Sequence, residues 1–134
     1  MDENTKIIIG IRLEKSKEDL RWARALLAQG GYRQSISRAY YAIFALASAA
    51  LLTQKITRKK HSGVESAFHQ FLIKPKLIEQ EYAAIYKDAF KARLDADYAD
   101  ATEFTEIKAR QVLGDAERFV ERIERYLRGI GAIS

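Results

Sequence analysis

Residues 91–100 read KARLDADYAD, an arginine, three aspartates and a tyrosine inside a stretch with helical patterning. Arg93, Asp97 and Asp100 stand at i, i+4 and i+7, so all three can project from one side of a helix. Two chemistries fit that arrangement. A guanidinium positioned by carboxylates can meet a phosphate with two parallel hydrogen bonds. The same residues can instead form an internal salt bridge that fixes the end of the helix, because a guanidinium is rarely buried without partners.

Other residues that could do chemistry are few. KITRKKH, residues 55–61, is a short basic loop in which Arg58, Lys59, Lys60 and His61 could attract nucleic acid or an acidic partner, although a solvated loop is the plainer account of them. His61 and His69 are eight positions apart, which is not a metal-binding pair, and no HExxH, GxGxxG, P-loop or GxSxG is present. No metal or cofactor is expected. Of the adjacent tyrosines, one of Tyr40 and Tyr41 must pack in the core, and the other, with Tyr41 the candidate ligand contact, can reach a neighbouring helix or subunit. Glu14 and Glu18 look like a solvated face with basic neighbours.

The elements that must position these residues follow from hydrophobic spacing. Ile9, Leu13, Ser16, Leu20, Ala23 and Leu27 recur at steps of four and three, predicting a helix over 4–29 that Gly30-Gly31 ends. A second helix over 33–54 is apolar nearly all round, so it belongs at the centre of a bundle or in a subunit interface. Ser62 and Glu65 have capping-box spacing and open a third helix carrying Val64, Phe68, Phe71 and Leu72, which Pro75 stops. A fourth over 78–98 turns Tyr82, Ile85, Tyr86, Ala89 and Phe90 to one side, and Arg93 continues that stripe. Asp100–Glu103 have capping-box spacing again and predict a fifth helix over 101–128, with Phe104, Val112, Leu113, Ala116, Phe119, Val120, Ile123 and Leu127 inward. The fold class is therefore an all-α, up-and-down antiparallel bundle of four to five helices, one domain over 1–134.

Composition narrows the function. The chain has 134 residues, 48% hydrophobic and 31% charged, which argues against disorder. Zero cysteines exclude disulfides and thiolate metal sites and suit a reducing, cytoplasmic setting. The acidic start lacks a signal peptide's charge order, and the longest apolar run, Ala39–Leu52, is too short for the roughly 20 residues a membrane span needs. The net charge of +5 is uneven: residues 1–60 hold 12 Lys and Arg against 5 Asp and Glu, and residues 61–134 hold 11 against 13.

Three segments in order, YRQSISRAYYAIFALASAALL (32–52), KKHSGVESAFHQF (59–71) and KARLDADY (91–98), resemble the HEPN domains, within them a compact prokaryotic group. The resemblance implies a helical bundle that forms homodimers. It further implies work beside a minimal nucleotidyltransferase, often as a toxin–antitoxin pair, and in many members metal-independent ribonuclease activity. Ribonuclease members share an arginine followed after four to six residues by histidine. Arg93 matches the arginine, but Tyr98, Ala99 and Asp100 stand at the histidine spacings. Metal-free cleavage needs a group that accepts and returns protons near neutrality, which an arginine does not do and an unperturbed tyrosine, with a pKa near ~10, does poorly.

Three readings follow. The first is a nucleotide- or RNA-binding module, non-catalytic or weakly catalytic, acting with a nucleotidyltransferase. The second is a ribonuclease toxin using Arg93 with Tyr98 and Asp97. The third is a helical adaptor without nucleic-acid contact.

Overall fold

The computed structural model describes residues 1–98 and 104–134, and the described residues are all-α, with five α-helices. Helix α1 covers Glu3–Ala28; the Asp2 carboxylate accepts from the Thr5 amide at 2.8 Å, satisfying one of the first-turn donors. All six residues of its predicted seam are buried. Gly30 then adopts φ +81°, a conformation only glycine takes without strain, and reverses the chain into α2, Tyr32–Leu52.

Helix α2 is the centre of the bundle and packs against α1, α3, α4 and α5. By length and composition it could cross a membrane, but 67% of its apolar window is buried within the bundle. Four neighbouring helices thus explain most of its apolar circumference, and the side carrying Tyr41, Phe44 and Ser48 stays partly open.

Helix α3 covers His61–Phe68 and passes directly into a π-helical turn, His69–Ile73. Here the structure corrects the expected capping box. The helix starts at His61 with Lys60 as its cap residue and no side-chain cap bond. Ser62 is exposed, while Glu65 turns toward the interior and leaves Oε2 buried without a hydrogen bond of good geometry. Lys76 at φ +66° follows Pro75 and redirects the chain.

Helix α4 covers Gln80–Tyr98 and α5 covers Glu106–Gly129. The expected start of the fifth helix at 101 is also corrected: Thr105 is the cap, its hydroxyl accepting from the Lys108 amide at 3.1 Å, and Phe104 precedes the helix. The Asp100–Glu103 spacing lies outside the described residues. From Ala109 to Leu127 the predicted inward residues of α5 are buried. Arg118–Glu81 and Arg122–Glu79, each 2.7 Å, tie α5 to α4 and the turn before it.

Candidate functional site

Three elements converge at the C-terminal end of α4. Arg93 and Asp97 are one turn apart on α4; Ser37, Tyr40, Tyr41 and Phe44 are spaced three and four apart on the facing side of α2; His61 opens α3. Arg93 Nε lies 2.7 Å from Asp97 Oδ2, at an angle that makes this an ion pair and not a hydrogen bond. Arg93 also donates to the Tyr41 hydroxyl at 3.0 Å. Its guanidinium carbon sits 5.4 Å from the Tyr41 ring centre and 5.7 Å from that of Tyr40, within cation–π range. Ser37 in turn donates to Asp97 Oδ1 at 2.6 Å. With a side chain 12% exposed, Arg93 braces this wall from behind.

His61 joins the cluster through α2. The Tyr40 hydroxyl and His61 Nδ1 are 2.8 Å apart, with one hydrogen between them, and the imidazole stacks on Phe44 at 4.2 Å. Burial, and then the Arg93 charge, hold the His61 pKa below the ordinary imidazole value, so the ring is neutral at pH 7. Burial pushes the Tyr40 and Tyr86 hydroxyls far above the usual phenol value and keeps both protonated. It also raises Glu65, with Lys87 opposing.

In front of this wall is a cleft of about 1080 Å³, at the upper end of the size of small-molecule sites. Tyr41, Phe44, Leu51, Ile56 and Val64 form its apolar side. Arg12, Lys15, Arg33, Arg38 and Arg58 are its basic lining residues, Arg58 lying over Gly63 at the start of α3, and Asp97 is the acidic one. Most of the cations are held in place. Arg12 donates to the Ser48 carbonyl at 3.2 Å and Arg33 to the Ala96 carbonyl at 2.7 Å, with Arg33 also over the Phe104 ring. Lys15 and Arg38 share Asp19, a carboxylate only 1% exposed, at 3.0 and 3.1 Å. Such a cleft can bind an anion with an apolar body. Among the described residues, no group of three or more His, Asp or Glu side chains gathers as a metal site.

The residues singled out in the sequence are thus distributed. Tyr41, Asp97 and Arg58 line the cleft. Arg93 and His61 pack directly behind it, against Tyr41 and Phe44. Lys59 and Lys60 are exposed at the mouth of α3, away from the lining. Tyr98 is the last residue of α4, and Asp100 lies outside the described residues. Sequence reasoning missed Arg12, Lys15, Arg33, Arg38 and the buried Asp19. The signal for them was the basic excess of the first sixty residues, which the loop at 55–61 only partly absorbs.

The comparisons agree with this architecture. The profile of the HEPN domain matches residues 10–126. A Methanocaldococcus jannaschii protein named "Putative toxin MJ0605" is 37% identical over 118 residues, covering 88% of this chain and 87% of the relative. A Thermotoga maritima UPF0332 protein is 33% identical over 127 residues, covering 95% of this chain and 96% of its own. Among solved structures, TT1696 from Thermus thermophilus superposes with a TM-score of 0.77 at 21% identity, over 89% of this chain and 98% of that one. ST0689, an archaeal HEPN homologue, gives a TM-score of 0.64 at 16% identity, over 87% of this chain and 95% of that one. The five-helix chain described above, with its basic cleft between α1, α2 and the loop before α3, belongs to the HEPN domain family.

Proposed function

We propose that the protein is a binding module for RNA or a nucleotide, taking phosphate groups on the basic side of the cleft and a base on its apolar side. The observation that carries this reading is the convergence of Arg12, Lys15, Arg33, Arg38 and Arg58 on one cleft. Guanidinium groups anchored by protein carbonyls and carboxylates lose little freedom on meeting a phosphate. Tyr41 and Phe44 supply flat faces on which a base can stack, as single-stranded nucleic acid requires. The module acts in a toxin–antitoxin setting, a reading supported by the relatives named putative toxins, and beside a minimal nucleotidyltransferase, which rests on the family resemblance alone.

Anisotropy of a labelled single-stranded RNA tests this. If about four phosphates are engaged, affinity falls roughly 50-fold between 50 and 200 mM salt, with a log–log slope near −3. Arg38→Gln flattens that slope by roughly one phosphate's share. Absent or salt-independent binding would leave the adaptor reading.

A second reading, ribonuclease, is favoured by one observation: His61 and Arg93 both pack on Tyr40 and Tyr41, although no histidine follows Arg93 within its own helix. His61 would take the 2′-hydroxyl proton as the 2′-oxygen attacks phosphorus, and the P–O5′ bond breaks as the leaving 5′-oxygen takes a proton from a solvent water. Burial first, and then the Arg93 charge, hold the imidazole pKa down, a role for Arg93 distinct from its acting with Tyr98 and Asp97. Cleavage of single-stranded RNA in chelator, lost in His61→Ala with binding retained, is the expected result; no cleavage at any pH between 5 and 9 removes this reading.

A further inference from the structure

The cleft has five basic lining residues and one acidic one, Asp97. In a site for anions a carboxylate works against binding, because it repels every phosphate that the cations attract. The surroundings of Asp97 point to a different use. Ser37 on α2 donates to Asp97 Oδ1 at 2.6 Å, and Arg93, one turn back on α4, lies 2.7 Å from Oδ2. Both oxygens are therefore fixed by the fold. A carboxylate has about four lone-pair sites, so each oxygen keeps a second one after these two contacts. Asp97 is exposed and lines the cleft, which leaves those acceptors open to a ligand.

The neighbouring ring narrows the ligand. Tyr41 stands one turn after Ser37 on α2, and the guanidinium that lies against Asp97 also donates to the Tyr41 hydroxyl at 3.0 Å. A flat base stacked on Tyr41 thus turns one edge toward Asp97. Two adjacent acceptors there call for two adjacent donors. A cationic ligand with such a pair, an arginine side chain, is turned away by the five basic residues. Among the neutral RNA bases guanine alone fits, with N1–H and the N2 amine side by side on its Watson–Crick edge. Adenine and cytosine set one amine beside a bare ring nitrogen, whose lone pair would face the carboxylate. Uracil flanks its one N–H with carbonyls. We infer that the cleft selects guanine: Asp97 reads the base, Ser37 holds the carboxylate in place and Tyr41 carries the ring.

This assignment rests on the cleft reading above and divides the labour within it. Phosphate contacts carry no base identity, so the basic residues give affinity to any strand and Asp97 ranks one strand against another. The same chemistry fixes what a substitution does. An asparagine at this position offers one acceptor and one donor, the pattern that adenine complements with its N6 amine and N1. Asp97→Asn should therefore invert the preference and not merely erase it.

The test titrates the protein with a short uridine-rich RNA carrying a single guanosine, and with the same strand carrying adenosine, inosine or cytidine in its place. The wild-type chain should bind the guanosine strand roughly tenfold more tightly than the adenosine strand, the discrimination of one good bidentate contact. Inosine keeps N1–H and lacks the N2 amine, so its strand should fall between them. This series uses the wild-type protein alone and holds even if a variant fails to fold. In Asp97→Asn the adenosine strand should overtake the guanosine strand, a reversal that an aspartate serving only to anchor Arg93 would not give. Ser37→Ala should keep the wild-type order with a smaller guanosine advantage. Binding of all four strands by the wild-type chain within about threefold of one another overturns the guanine assignment and leaves the phosphate-binding cleft standing. A guanosine preference that persists undiminished in a folded Asp97→Asn protein overturns it as well. Binding of none of the strands removes the cleft reading and this assignment together.

Discussion

The two sides of α2 bury polar groups in opposite ways. Toward α1 every buried polar side chain is answered. Ser16 donates to the Ala42 carbonyl and Ser35 to the Ala23 carbonyl, both at 2.8 Å, and Asp19 holds Lys15 and Arg38. Small residues such as Ala23, Ala39 and Ala42 let the two helices approach closely along this seam. Toward α3 and α4 the same helix presents Tyr40, Tyr41 and Phe44 to His61, Tyr86 and Phe90, rings stacked and edge-on. There Tyr86 Oη and Glu65 Oε2 are buried without hydrogen bonds of good geometry. Buried polar atoms are nearly always paired, so a seam that leaves two of them wanting is kept for some reason other than stability. The α1 seam is a structural joint; the α3–α4 seam is where the protein tolerates strain beside its cleft.

The largest test of that contrast is Arg93→Ala. The guanidinium is nearly covered and its loss strips Asp97 of an ion pair, Tyr41 of a donor and two rings of a cation. The expected destabilisation is about 3 kcal/mol by urea or thermal unfolding. A loss under about 1 kcal/mol would mean that the pair is effectively solvated and that the wall is not braced from within. On the other seam, Asp19→Ala should cost about 2 kcal/mol, less than Arg93→Ala although the carboxylate is more deeply buried. Its partners Lys15 and Arg38 are half-exposed and return to water when released, whereas Asp97 and the rings around Arg93 cannot rearrange so freely.

Much of this was legible before any coordinates, and the part that was not has a physical cause. The seam of α1 and the stripes of α4 and α5 repeat at steps of three and four, and burial follows that period because each helix has one dominant neighbour. Asp19 lies on the edge of the same helix and was invisible, since a carboxylate reads as solvent-facing until a second helix closes over it. The capping box at Ser62 failed for a related reason. Spacing shows that a glutamate can reach back to a helix start, but Glu65 is drawn inward by the packing of Val64, Ala67 and Phe68 around it. The cleft was the least legible feature. Its cations come from α1, α2 and a loop, with no common spacing; the turn at Gly30 sets the α1 pair beside the α2 pair, and the loop after α2 adds Arg58.

Glu65 gives an intermediate effect of opposite sign. Burial raises its pKa, so the fold favours the protonated acid. Below pH 4.5, the ordinary value, folded and unfolded chains are both protonated and the group is neutral in its effect. As pH rises through the folded value the unfolded state sheds its proton first and the native state is penalised. Glu65→Gln should therefore stabilise the protein at pH 7, by less than about 1 kcal/mol because the carboxylate is partly solvated, and the gain should vanish toward pH 4. A destabilising Glu65→Gln at pH 7 would mean that the carboxylate is paired, and the two seams would then be alike.

His61 gives the smallest effect, with the reverse pH direction. Its folded pKa is held below 6.5 by burial and by the Arg93 charge, so at mildly acid pH the unfolded chain binds the proton more readily than the folded one. Wild-type stability is undiminished above 6.5 and declines as pH falls below it. His61→Gln removes that decline between pH 6.5 and 5 while keeping a polar partner for the Tyr40 hydroxyl, and its effect at pH 7 should be smaller than that of Glu65→Gln. Comparing the two substitutions by thermal unfolding at pH 5 and pH 7 separates their contributions, because one profile flattens at the acid end and the other at the neutral end. If His61→Gln instead steepened the acid decline, the imidazole would be protonated in the native state. It would then be a cation facing Arg93 across two tyrosines, and it would add to the charge of the cleft instead of waiting beside it as a base.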